Sequence, residues 1–187
     1  MKFSPNPFYK FLFFFLSLFT LIYFGFQFIS GLAVEGGNYS PFVAKYFNIA
    51  SWVRQALIFC TKQLVALLGI NSYVENEYVL RAEGGAGIKL IYGCLGIGVY
   101  SFWIAYTVAS TYNFLKKISW LFVGLFILWT VNVLRISLVL ISLKNNWVFP
   151  LGLDHHTWFN IVAYIFIFLL IFLFEKNIKQ FKKSITA

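Results

Sequence analysis

Trp120 to Leu143 reads WLFVGLFILWTVNVLRISLVLISL, and this stretch decides the fold. A helix that crosses a bilayer needs about 20 mostly apolar residues. This run supplies them and is interrupted only by Asn132 and Arg135. A cation at mid-depth costs ~2.5 kcal/mol or more and usually faces the interior of a bundle. Asn132, three residues before Arg135, shares its helix face. The run therefore predicts a membrane helix together with other helices for its polar face to pack against.

Three further runs meet the same length requirement. They are Phe8 to Leu32, broken by Lys10, Gly93 to Phe114, and Trp158 to Phe174. The expected fold class is an all-α membrane protein forming one integral membrane domain over 1–187, with spans at about 8–32, 93–114, 120–143 and 158–174. Composition agrees. The chain is 60% hydrophobic and 11% charged, whereas soluble domains carry about 25% charged residues. The net charge of +9 would suit a nucleic-acid binder. The cations sit beside apolar runs, however, so they report topology. No nucleic-acid partner is expected, and the main partner is the lipid bilayer. The first run exceeds the ~7–15 apolar residues of a signal peptide and has no small-residue cleavage site after it, so it reads as an uncleaved anchor.

Excess Lys and Arg marks the cytoplasmic side. Lys2 and Lys10 precede the first span, Lys116 and Lys117 lie between the second and third, and Lys176, Lys179, Lys182 and Lys183 follow the fourth. Four spans with both termini inside put all of these in the cytoplasm, facing only Glu175. The expected location is the cytoplasmic (inner) membrane, multi-pass, with residues 33–92 extracytoplasmic and 175–187 a basic cytoplasmic tail. Within 33–92, Ser51 to Ile70 is apolar enough to be a fifth span. Its Ser51, Arg54, Gln55, Thr61 and Lys62 fall on one stripe of a helix. That pattern fits an amphipathic helix lying in the interface or packed on the bundle. A fifth crossing would also carry Lys116 and Lys117 outside. Tyr73 to Leu80 reads as a strand, Glu83 to Gly87 as a turn and Ile88 to Tyr92 as a second strand, giving a short extracytoplasmic hairpin.

This topology brings three chemically distinctive residues to the outer side. Cys94 opens the second span, where a helix N-terminus would favour a thiolate, and Gly93, Gly96 and Gly98 leave room beside it. Arg135 lies 18 residues past Lys117, roughly 27 Å along a helix at ~1.5 Å per residue. His155 and His156 are the only histidines and introduce the fourth span after Asp154. Their spacing does not suit a metal site, and no metal or cofactor is expected. A histidine there can act as general acid and base, with Asp154 able to orient it. Cys60 and Cys94 make no disulfide framework. Each residue also has a plain structural reading: a small buried cysteine, a snorkelling arginine and a helix-capping polar group.

The ordered set Cys94-Leu95-Gly96, Asn132-Val133-Leu134-Arg135 and a histidine opening the last span resembles the exosortase/archaeosortase family of membrane-embedded sorting proteases. The similarity runs from about Leu64 to Phe174 and includes Leu67-Leu68-Gly69. Leu95 stands where the family often has Ser or Thr. The family's His-x-x-x-Gly corresponds to His156 with Asn160 one turn on, and His155 is the other choice. The resemblance implies a cysteine protease or transpeptidase with Cys94, Arg135 and His156 catalytic and His155, Asn132, Asp154 and Asn160 supporting. Its partners would be exported proteins carrying a C-terminal motif, transmembrane helix and basic tail, together with a glycan or lipid acceptor. The competing expectation is a non-catalytic membrane scaffold or small transporter subunit that uses Arg135 and Asn132.

Overall fold

The structure is a computed structural model describing residues 6–36, 38–85, 87–147 and 155–185, without the side-chain positions of His155, His156, Phe159, Asn160 and part of the C-terminal helix. Asp154 lies outside the described residues. Helix accounts for 74% of the structure, in line with the helical class. The elements in order are α1 (Pro7–Leu32), α2 (Pro41–Tyr46), α3 (Ile49–Leu67), β1 (Ser72–Asn76), β2 (Val79–Ala82), β3 (Gly87–Lys89), a 3-10 turn (Tyr92–Leu95), α4 (Ile97–Ala109), α5 (Phe114–Lys144) and α6 (His155–Ile185).

Among the described residues, Phe8–Leu32 and Phe114–Lys144 are long and apolar enough to cross a membrane. Asn6 caps α1 through its side-chain oxygen, which accepts from the Phe8 amide at 3.2 Å, and Pro7 presets the first turn. Phe11, Phe15, Phe19 and Tyr23 recur every fourth residue and stack down one face of α1. That ladder packs on α4, with the Phe15 and Phe102 rings 5.2 Å apart and edge-on. The opposite side of α1 leaves Phe13, Phe24 and Phe28 exposed.

The second expected span is shorter than its apolar run. Apolarity continues from Gly93 to Phe114, but the chain spends Tyr92–Leu95 in a 3-10 turn and leaves α4 with 13 residues. At ~1.5 Å per residue that is about 20 Å, short of the ~30 Å hydrocarbon core. Phe114 belongs to α5, and Lys116 and Lys117 lie in its first turn rather than in a loop. The fourth run is part of α6, which continues as helix to Ile185.

The expected hairpin is instead a three-stranded antiparallel meander in the order β1-β2-β3. Tyr73 to Leu80 does not form one strand. The Asn76 side-chain oxygen accepts from the Tyr78 amide at 2.9 Å and folds the chain back after Asn76. Val74 then pairs with Leu80, and Leu80 with Ile88. Leu80, Ala82 and Ile88 are buried. Arg81 points the other way and bonds Glu75 at 2.8 Å on the exposed side.

Two cores result. One joins α3, the sheet and the C-terminal half of α5 through Leu57, Val65, Leu80, Leu90, Ile136 and Leu140. The other joins α4, α5 and α6 through Trp103, Leu128, Ile167, Leu170 and Phe174. Trp103 shares its indole N–H between the carbonyls of Trp120 and Leu121, and Gly124 leaves the space its ring occupies.

α3 is a helix where Ser51 to Ile70 predicts one, but its polar residues face differently from expectation. Ala50, Arg54, Leu57, Ile58, Thr61 and Val65 form the buried stripe. Arg54 and Thr61 therefore turn inward with the apolar residues. Arg54 does so because it finds partners there. Its Nε donates to the Leu90 carbonyl at 3.0 Å, and its guanidinium lies 4.2 Å from the centre of the Tyr78 ring.

Candidate functional site

Cys94 sits in the single turn of 3-10 helix ahead of α4. Its amide donates to the Ile91 carbonyl at 2.9 Å, so the N–H is already engaged. The turn ends at Gly96, whose φ of 76° lies in the left-handed region that glycine occupies without a Cβ penalty. Gly96 then caps α4, and its carbonyl accepts the Tyr100 amide at 3.0 Å. Cys94 thus precedes the cap instead of opening the helix, which corrects the expectation that it sits among the free N–H groups of a helix start. It is 3% exposed. Cys60, on α3, is half-buried, and both thiols are free.

Asn132 connects α5 to this turn. Its side-chain amide donates to the Cys94 carbonyl at 3.2 Å, and the residue is buried. The absence of a side chain at Gly96 is what admits it. A Cβ there would stand 3.2 Å from Asn132 Nδ2 and 3.3 Å from Tyr100 Cε2. Gly93 has open space around it, and Gly98 would make only an ordinary contact with Tyr23. The three glycines therefore differ in role: one is open, one is a backbone and packing requirement, and one is unremarkable in its surroundings.

A cavity of about 900 Å³ opens between α1, α4, α5 and α6. Its walls are largely apolar, and Gly93, Gly96, Tyr100, Asn132 and Arg135 also line it. Arg135 is half-buried. The structure thus brings Asn132 and Arg135 into one cavity and attaches the Cys94 backbone to its wall. The Cys94 side chain is not on the lining, although Gly93 and Gly96 on either side are. α6 begins at His155 and closes the cavity with Val162 and Tyr164. The side chains of His155, His156 and Asn160 lie outside the described residues, as does all of Asp154.

Sequence reading missed Tyr100. Its hydroxyl is buried, and its ring borders the cavity against Gly96. The available signal was the four-residue spacing from Gly96, the distance over which a cap residue's carbonyl meets the first turn of its helix. An arginine and side-chain amide in an apolar cavity interact more strongly with a developing negative charge than they would in bulk water. Outside the membrane-spanning segments, Arg81 is held above its ordinary pKa by its hydrogen bond to Glu75 and then by that carboxylate's charge.

Neither a protein-family model, nor a curated protein, nor a solved structure matches this chain.

Proposed function

We propose that this protein is a multi-pass membrane cysteine protease or transpeptidase. It cleaves the C-terminal sorting signal of exported proteins, with both termini cytoplasmic and the site toward the outer face. The observation that carries the proposal is the convergence around one cavity of the Cys94 turn, Asn132 and Arg135. The cavity lies between helices, so a substrate's transmembrane helix can approach from the side and present its flanking peptide.

The chemistry divides one hard step into two. The Cys94 thiol passes its proton to His156, or to His155 in its place, as its sulfur attacks the scissile carbonyl carbon and forms a C–S bond. Arg135 stabilises the oxyanion as it develops. The tetrahedral adduct collapses to a thioester and the C–N bond breaks. His156, or His155 in its place, protonates the departing amine. An acceptor hydroxyl, amine or water then attacks the thioester, the histidine takes its proton, and the thiolate leaves. Asn132 holds the Cys94 backbone, which makes it a positioning residue. Cys94 must turn toward the cavity for this to occur.

The burial of that thiol off the cavity lining favours a second reading. In it the protein is a non-catalytic membrane scaffold or transporter subunit, and Arg135 and Asn132 bind a partner helix or an anionic solute. Co-expression with a tail-signal protein separates the two. Under the first reading, a shortened product appears with wild type and disappears with Cys94→Ala, while membrane insertion is unchanged. Equal product with Cys94→Ala would remove the thiol mechanism. Loss of assembly or uptake only in Arg135 variants would establish the second reading.

A further inference from the structure

We infer that a second, polar cavity around Arg54 binds a single phosphodiester oxyanion, supplied by the headgroup of a membrane lipid. This inference does not depend on the thiol chemistry.

Arg54 is 8% exposed and is the buried charged side chain among the described residues. Removing a guanidinium from water is costly unless its donors and its charge are met. The protein meets only part of that need. Nε has the Leu90 carbonyl, and the plane rests near Tyr78. No described carboxylate is within ion-pair distance of it, since the ion pair among the described residues is Arg81 with Glu75. Nη1 and Nη2 have no hydrogen-bond partner among the described residues, and they are the part of the side chain left for the cavity. Both outer contacts fix the guanidinium plane, so its paired donors are oriented before any ligand arrives. Paired donors of that kind match a phosphate better than a point charge does.

The cavity holds about 760 Å³ and is rich in polar lining, including Ser30, Tyr39, Asn48 and Ser51. Asn48 caps α3 through its side-chain oxygen, accepting the Ser51 amide at 3.1 Å, which leaves its NH₂ free to donate. Ser51 Oγ accepts from Gln55, so its own proton is free to donate as well. Glu35 and Glu77 also line the cavity but are exposed. They repel a polyanion and tolerate one oxyanion attached to a neutral or cationic group. A zwitterionic phosphodiester has that charge pattern.

The location selects lipid as the source. The last turns of α1 and the residues just beyond Leu32 form one wall, so the cavity lies where an expected membrane span ends. Phe42 and Tyr46 on α2, Phe47 just after it and Trp52 at the start of α3 are exposed, next to lining residues Asn48 and Ser51. Exposed aromatics at a span's end are typical of the headgroup level.

The test uses the full chain in maltoside detergent, stripped of co-purifying lipid and read by native mass spectrometry. The probes are dioleoylphosphatidylcholine, dioleoylglycerol with the same chains and no phosphate, glycerophosphocholine with no chains, and N-acetyl-aspartate amide. The expected result is one phosphatidylcholine per chain, held about tenfold more tightly than dioleoylglycerol, the equivalent of one hydrogen bond to a charged group. In Arg54→Gln that preference should vanish. If this variant does not fold, the wild-type ratio of the two lipids decides alone. Equal retention of both lipids overturns the inference. Glycerophosphocholine binding as tightly as the lipid overturns the lipid source, and preference for the aspartate amide gives the cavity to an acidic peptide instead.

Discussion

Arg54 and Arg135 are both cations on largely apolar helices, yet the fold uses them differently. Arg135 is half-buried on the wall of an apolar cavity beside Asn132. Arg54 is buried in the interface of α3 with the sheet, bonded to a backbone carbonyl and set against an aromatic ring. Its neighbours in sequence disguise it, because Ser51, Gln55 and Lys62 suggest a wet stripe. The difference teaches that a charge among apolar residues is conspicuous in sequence, whereas a charge among polar ones is not, even when the second is the more buried.

Exchanging the two arginines for neutral residues should separate activity from stability. Under the proposed chemistry, Arg135→Gln lowers processing of a tail-signal protein by ~100-fold or more, the scale for losing an oxyanion donor, with little change in melting temperature. Arg54→Ala should instead destabilise the chain by about 2–3 kcal/mol through loss of a charged hydrogen bond and the ring contact. Melting in detergent followed by tryptophan fluorescence, paired with the processing assay, reads both. If Arg135→Gln melts as early as Arg54→Ala and processing is unchanged, the proposed division between the two arginines collapses.

Gly96→Ala sharpens the comparison on the Arg135 side. Alanine at a left-handed φ costs ~1–2 kcal/mol, and its Cβ would crowd Asn132 and Tyr100. A modest drop in melting temperature is expected, with a larger drop in processing, because the Cys94–Asn132 connection is displaced. Gly98→Ala, which meets only Tyr23 at 3.6 Å, is the control and should change neither. Equal effects at the two glycines would show that the Gly96 turn has no special part.

The smallest effect belongs to a third arginine. Arg81 pairs with Glu75 in the open, where solvent screens the pair. Its pKa is raised by that carboxylate, so any stability it adds is fully present below its ordinary value and is lost only above it. Arg81→Gln should leave the melting temperature unchanged at all points between about pH 5 and pH 9, since that window lies well below the arginine range. A shift that varies across this window would mean that the exposed pair is coupled to something deeper.

Hydropathy alone determined that α1 and α5 would be long apolar helices, because a bilayer-length run has a composition few other structures need. It also determined that Ser51 to Ile70 would be helical, and it singled out Asn132 and Arg135, since polar groups are costly on an apolar helix. Local turn chemistry was harder to read. The Asn76 turn that breaks Tyr73 to Leu80 depends on one side-chain hydrogen bond. The 3-10 turn at Cys94 ends the reach of α4 without any change in apolarity. Tertiary structure alone decided which face of α3 was buried. A helix stripe with both polar and apolar members can face either way until a partner is present. Here the Leu90 carbonyl and Tyr78 ring, 36 and 24 residues along the chain, satisfy Arg54 from the inside. No local pattern around Arg54 could specify groups so distant, and the same holds for Tyr100, whose place on the cavity wall was set by the meeting of α4 with Asn132 of α5.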